Sequence, residues 1–284
     1  MSARLLDGRA VAAAILDAAR LRARGVRNRR GRAPRLAIVA ASSGAAGSYL
    51  KAKLSACASA GVEVSVHRLS PGPRAKTLGL LADVAAEASV DALMVETPYP
   101  RGLSAADVTA AIPASKDAEG VTPEAYGRLF LASSWAEASE LIGPCTAVAL
   151  ARLARAAKVP LAGKRAVVIG RSTTVGRPTA HLLTTFDLTV TLAHSRTRNL
   201  AALCREADVI VAAAGAAGLV QASWVKRGAL VLDAGVNVVR GKLAGDVAPA
   251  AAKRAGVMTP VPGGVGPVTT AVAVLQAVLL AERR

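Results

Sequence analysis

The chain has 284 residues, enough for two domains or one large one, and its 52% hydrophobic content supports a sizeable core. Its 36 basic residues against 19 acidic ones give a formal charge of +17, which suits an anionic ligand, but only 2% of residues are aromatic and no basic run is interleaved with them, so a nucleic-acid surface is not indicated. Cys57, Cys145 and Cys204 lie far apart with no C-x-x-C, which excludes a disulfide framework and a cysteine metal site (no metal is expected) and fits a reducing, cytoplasmic setting.

In chain order, residues 10–21 carry Val11, Ile15 and Leu16 at helical spacing, and 22–32 reads as a basic, solvated connection. The arginine-rich start is compatible with a transit peptide, but Asp7 and Asp17 argue against one. Residues 36–41, 62–67 and 92–95 read as strands, separated by helices over 48–60 (closed by Gly61) and 78–88. Strands alternating with helices predict a parallel α/β sheet, whose ligands bind beyond the carboxyl ends of the strands. Residues 42–49 and 96–100 are therefore where chemistry is expected in this half. A helix over 105–111 leads to the charged turn Lys116-Asp117-Ala118-Glu119-Gly120, and a helix over 147–158 links the two halves.

The second half opens with Ala166-Val167-Val168-Ile169, an apolar, β-branched run, followed by a turn bounded by Gly170 and Gly176 and a helical pattern from Thr179. Strand, glycine turn and helix form the first unit of a dinucleotide-binding fold, where a helix N-terminus receives phosphate. The spacing is not G-x-G-x-x-G, and a plain strand-to-helix turn would look alike, so the context carries the assignment. Strands follow over 188–192, 209–213 and 230–232, then a Pro/Gly loop over 259–267 and a closing helix over 269–284. The apolar run 269–281 is shorter than the roughly 20 residues of a membrane span. An NAD enzyme usually carries an acid at the end of the second strand. Here that end reads His194-Ser195-Arg196, with Arg171 and Arg198 as candidates to lie nearby, which favours the 2′-phosphate of NADP over NAD; surface arginines are the alternative.

Tyr49 and Lys53, spaced i, i+4, share a helix face. A lysine near a strand end can move protons if desolvated, although a solvated Tyr–Lys pair has the same spacing. Tyr-x-x-x-Lys also occurs in short-chain dehydrogenases, but there it follows the nucleotide loop, and here it precedes it.

Taken together, Leu6-Asp7-Gly8, Tyr49-x-x-x-Lys53, Pro98-Tyr99-Pro100, the Lys116–Gly120 turn, Pro144-Cys145-Thr146, Gly170-Arg171-Ser172-x-x-Val175-Gly176-x-Pro178, His194-Ser195-x-Thr197, Asp233-x-Gly235-Val236-Asn237 and Pro260-Val261-Pro262-Gly263-Gly264-Val265-Gly266-Pro267 resemble, in this order, the bifunctional methylenetetrahydrofolate dehydrogenase/cyclohydrolase family. The resemblance implies a two-domain α/β protein with a cleft between an N-terminal catalytic domain and a Rossmann-type NADP-binding domain. The expected boundaries are 1–143, completed by helix 269–284, and 144–268. It implies oxidation of 5,10-methylenetetrahydrofolate by NADP, hydrolysis of the methenyl product to 10-formyltetrahydrofolate, and a homodimer. By the same likeness Lys53 is the catalytic lysine and Tyr49 stacks on the pterin. Val95, Glu96, Thr97, Asp117, Glu119, Pro262, Gly263, Gly264, Val265 and Gly266 line the substrate, and Thr146, Gly170, Arg171, Ser172, Val175, Gly176, Ser195, Arg196 and Val236 hold the cofactor.

Two departures from the family pattern matter most. Glu96 stands where the family has Gln beside the catalytic lysine, and Glu119 where it has the Asp that contacts the pterin. An anion within ~4–6 Å of Lys53 favours its ammonium form, which predicts a weakened hydrolysis step and a surviving hydride step. Glu96 as a base in its own right is the competing expectation. A dehydrogenase-only enzyme, a different reduced-pterin carrier, or a catalytically weak NADP-binding scaffold for polyanions are the alternatives.

Overall fold

The computed structural model describes residues 2–41, 47–69, 73–97, 99 and 103–284, without the side chains of 47–49. The chain begins β1 (Arg4–Leu5), α1 (Gly8–Arg30), β2 (Arg35–Ala41), α2 (Gly47–Ala60), β3 (Glu63–Leu69), α3 (Arg74–Ala86), β4 (Ala92–Val95), α4 (Ala105–Ala111), α5 (Pro123–Leu131) and α6 (Trp135–Ala138). It continues α7 (Cys145–Ala156), β5 (Arg165–Ile169), α8 (Gly176–Thr184), β6 (Thr189–Ala193), α9 (Leu200–Glu206), β7 (Val209–Ala212), β8 (Leu230–Asp233), β9 (Asn237–Val239), β10 (Lys242–Ala244), β11 (Val257–Met258) and α10 (Val265–Glu282). Two compact units result, one of residues 13–129, 140–143 and 270–284, the other of 1–12, 130–139 and 144–269.

In the first unit, β2 is the central strand of a parallel sheet ordered β3-β2-β4 among the described residues. Leu36 to Ala40 and Ala92 to Val95 are buried without alternation, which is what a parallel strand covered on both faces requires. Ala37, Val39, Leu93 and Val95 share one face and pack on Leu81, Val84 and Val108. α10 has the length and mean hydropathy of a membrane span, yet most of it is buried inside the protein. Its one interior amide, Gln276, accepts from the Gly143 N–H at 2.7 Å and donates to the Ala118 carbonyl at 2.9 Å.

Part of the arginine excess has a structural task here. Asp91 is fully buried and accepts from Arg30, from both Nη atoms of Arg32 and from the Arg35 N–H, all within 2.9 Å. Burial opposes its ionisation, but Arg32, Arg30 and the Arg35 N–H outweigh that and hold the carboxyl below its ordinary range.

The second unit carries a parallel sheet ordered β1-β11-β8-β7-β5-β6, with β9 and β10 as a separate antiparallel hairpin, among the described residues. Its core holds Val167, Ile169, Ile210, Ala212 and Val231. The fold is thus a two-domain α/β architecture built on parallel sheets.

Several expectations are corrected. Residues 22–32 are not a solvated connection: α1 runs to Arg30, because arginine is a good helix former and Ala12, Ile15, Ala19, Ala23 and Val26 keep a buried stripe at helical spacing. Residues 1–12 group with the second compact unit, where β1 pairs in parallel with β11. The expected 259–267 loop ends early: α10 starts at Val265, and Pro267 sits in its first turn, where a missing N–H costs nothing. The β9–β10 hairpin and helices α5, α6 and α9 had no clear sequence signal.

Candidate functional site

Lys53 lies in the middle of α2, and β4 ends at Val95 against it. The Glu96 backbone N–H still follows the strand, donating to the Val39 carbonyl at 2.8 Å, so the Glu96 side chain leaves the sheet at its carboxyl edge. That carboxylate forms an ion pair with the Lys53 ammonium, both side chains being largely buried. The sequence-predicted contact between the lysine and the altered residue is therefore present.

The charged turn brings a third ionisable group to the pair. Asp117 is fully buried, and its carboxylate accepts from the N–H groups of Glu119 (3.2 Å), Gly120 (2.8 Å) and Thr122 (2.7 Å). Asp117 was expected to line the substrate; with both oxygens taken by backbone donors it instead shapes the turn that presents Glu119. Gly120 has φ +67° and no room for a Cβ beside Gly143, so only glycine serves there. Lys116 is buried too, donating to the Ala85 and Glu87 carbonyls at 2.6 and 2.7 Å.

Glu119 accepts from the Val95 N–H at 3.2 Å. The residue keeps some exposure, but its carboxyl group is enclosed by protein atoms, and this desolvation pushes its pKa up to about 7 from an ordinary 4.5. Lys53 and the Val95 N–H pull it down; Glu96 and Asp117 push it up. Tyr99 stands nearby, its phenol raised by burial and by Glu119 and Asp117. Val95, expected at the substrate, has its side chain wholly in the core and contributes its N–H to Glu119. Thr97 is exposed. Tyr49 lies one helical turn before Lys53 in α2, with its side chain outside the described residues, as are Pro98 and Pro100.

The expected cofactor residues cluster in the second unit. β5 ends at Ile169, and Gly170 takes φ +123°, where a Cβ would strike the Ala213 carbonyl. A Cβ on Gly176 would strike the Gly170 carbonyl, so the two glycines close the turn on itself at the N-terminus of α8. Ser172 Oγ accepts from the N–H groups of Val175 (3.2 Å) and Gly176 (3.3 Å), leaving Arg171 and Ser172 exposed on the turn. At the end of β6, His194 donates its N–H to Thr197 Oγ1 at 2.9 Å and accepts the Arg196 N–H on Nδ1 at 3.2 Å, which turns Ser195, Arg196 and Arg198 to solvent. Val236 is exposed, and Thr146 opens α7. In the same unit, Pro262 is exposed and Gly263, Gly264 and Val265 are buried. The Gly263 carbonyl accepts the Gly8 N–H at 2.9 Å, and a Cβ on Gly8 would overlap Gly264, which explains the early Asp7-Gly8 pair.

One organising residue escaped the sequence reading. Asp246, fully buried, accepts from the Ala214, Gly215 and Ala216 N–H groups and from Asn237 Nδ2, all within 2.9 Å. It ties the turn after β7 to the start of β9. A lone Asp after Gly245 carries no local pattern, because its partners lie about 10 and 30 residues away. Replacing Asp246 with Ala strands these donors, and a loss of about 3 kcal/mol in denaturant unfolding is expected.

Comparison with known proteins agrees with the geometry. Residues 6–119 match the catalytic domain, and residues 144–284 the NAD(P)-binding domain, of the tetrahydrofolate dehydrogenase/cyclohydrolase family model. The bifunctional protein FolD of Parafrankia is 44% identical over 94% of this chain and 95% of its own length, and that of Acidiphilium cryptum 42% over 95% of each. Among solved structures, the bifunctional FolD of Campylobacter jejuni superposes with a TM-score of 0.92 at 33% identity, covering 100% of both chains. The Trypanosoma brucei enzyme, in complex with NADP cofactor and an inhibitor, does so with a TM-score of 0.90 at 33% identity, covering 100% of this chain and 98% of its own. On this evidence the chain belongs to the tetrahydrofolate dehydrogenase/cyclohydrolase family.

Proposed function

We propose that the protein oxidises 5,10-methylenetetrahydrofolate with NADP and hydrolyses the resulting methenyl cation to 10-formyltetrahydrofolate. The observation that carries this is the Lys53–Glu96 ion pair at the carboxyl end of β4, in a chain that matches both domains of the family. Hydride departure from a carbon between two nitrogens leaves positive charge on the substrate. Two carboxylates, Glu96 and Glu119, around one ammonium, Lys53, give a local field that favours that cation. Lys53, Glu96 and Glu119 are the residues we assign to the folate, with Tyr49 and Thr97 beside them; the family resemblance adds the Pro262–Gly266 segment.

The cofactor reading rests on the second unit. Hydroxyl and guanidinium donors at Arg171, Ser172, Ser195 and Arg196 stand exposed at two adjacent strand ends, and among the described residues no acid stands there to meet a ribose hydroxyl. That donor set suits a 2′-phosphate. Arg171, Ser172, Ser195 and Arg196 would hold the phosphates of NADP, which would supply the hydride acceptor. Thr146, Val175, Gly176 and Val236 belong to the same proposed site. A homodimer, as in the family, and a cytoplasmic location complete the proposal. The latter suits Cys57 and Cys204, whose thiols burial pushes up to about 12 and about 11, where they stay inert.

A time course with purified protein, 5,10-methylenetetrahydrofolate and NADP tests the activity, following NADPH and the methenyl species together. NADPH formation without methenyl build-up beyond that of a buffer control is expected. NADPH with accumulating methenyl would reduce the protein to a dehydrogenase, and no NADPH with either nucleotide would overturn the folate assignment.

A further inference from the structure

Three ionisable side chains from three separate elements meet at the end of β4: Lys53 from α2, Glu96 from the strand end and Glu119 from the charged turn. Lys53 and Glu96 are committed to one another as an ion pair. The Glu119 carboxylate has no such ion-pair commitment among the described residues: Oε2 accepts from the Val95 N–H at 3.2 Å. The backbone holds it there, because Asp117 accepts the Glu119 N–H and β4 supplies the Val95 donor.

We infer that Glu119 is the proton acceptor of the hydrolysis step, a role that rests on the folate reading above. In that step water adds to the carbon between the two ring nitrogens of the methenyl cation. As the C–O bond forms, one water proton passes to the Glu119 carboxylate. The C–N5 bond then breaks, the remaining hydroxyl proton ends on N5, and the carbon becomes the N10-formyl group. Glu119 returns its proton to solvent, so one proton is released per turnover and no electrons move.

The surroundings of Glu119 suit the task. A general base works best when its pKa lies near the working pH. Burial raises Glu119 into that range, to about 7, and the facing charges oppose one another: Lys53 lowers it, Glu96 and Asp117 raise it. Tyr99, the other titratable group facing it, is itself raised and stays neutral there. The extra charge of Glu96 thus has a consequence beyond Lys53, since it helps keep Glu119 basic enough to accept a proton.

The test is the pH profile of methenyl hydrolysis, measured beside NADP-dependent hydride transfer. The wild-type hydrolysis rate is expected to rise with an inflection near pH 7, as Glu119 ionises. Glu119→Gln is expected to lose that inflection and roughly a hundredfold in hydrolysis, with hydride transfer falling far less. Glu119→Asp, which keeps a carboxylate, should recover part of the rate and retain an inflection. In Glu96→Gln the inflection should move to lower pH, because Lys53 then faces Glu119 without a second carboxylate. Hydrolysis by Glu119→Gln within a few-fold of wild type, with the same inflection, would overturn the inference while leaving the folate reading intact. Absence of NADPH formation by the wild-type protein would overturn that reading, and this role with it.

Discussion

Lys53→Met is expected to lose about 3 kcal/mol of stability and on the order of a hundredfold in methenyl hydrolysis. The stability loss follows from burial: the Glu96 side chain is only 8% exposed, and removing its cation leaves a desolvated charge without its partner. The double variant Lys53→Met/Glu96→Gln should recover most of the stability, because both members of the pair are then neutral, and the difference between single and double variants measures the coupling. Activity should not return with it. Lys53 lowers the Glu119 pKa, so its loss leaves less of that carboxylate at neutral pH and also removes the cation that faces it. Urea unfolding at pH 7 and a hydrolysis assay on the same preparations check both parts. Equal destabilisation in the single and double variants would show that the ion pair is not what Lys53 contributes.

Gly176→Ala is expected to weaken NADP binding about a hundredfold and to cost about 3 kcal/mol, the upper part of the range for overpacking. The added methyl group meets the Gly170 carbonyl, which is backbone and cannot rotate away. Relief requires opening the turn that is proposed above to receive the cofactor. The same substitution at Gly79 is the control. Gly79 is exposed within α3, has no atom near the position of an added Cβ, and Gly79→Ala is expected to stabilise the protein by roughly 0.5–1 kcal/mol. Nucleotide titration by fluorescence and thermal unfolding of the two variants give opposite signs if the close approach at Gly170 is the cause. A Gly176→Ala protein that binds NADP normally would mean that the turn yields without consequence.

The amino-acid sequence by itself determined the elements with strong local signals. The uninterrupted apolar runs at 36–41, 92–95 and 166–169 could only be buried parallel strands, and the alternation with helices dictated the α/β class. The glycines at 170 and 176 were legible because a strand, a turn and a helix follow one another within about 20 residues. So was the importance of Glu96 and Glu119, as the two departures from the family pattern that fall on its charged and hydrogen-bonding positions. What the tertiary structure decided is where partners lie far apart in the chain. Asp117 reads as a ligand residue but is consumed by three backbone N–H groups, and Asp246 reads as nothing yet holds a turn about 30 residues away. Arg30 and Arg32 read as solvated charge but converge on Asp91. Likewise β1 and β11, each two residues long, have too little length for a local signal and are strands only through their partners, β1 on β11 and β11 on β8. The acid–base character of Glu119 belongs to this second class. A carboxyl group's pKa is set by burial and by charges from other elements, and neither is written in the residues beside it.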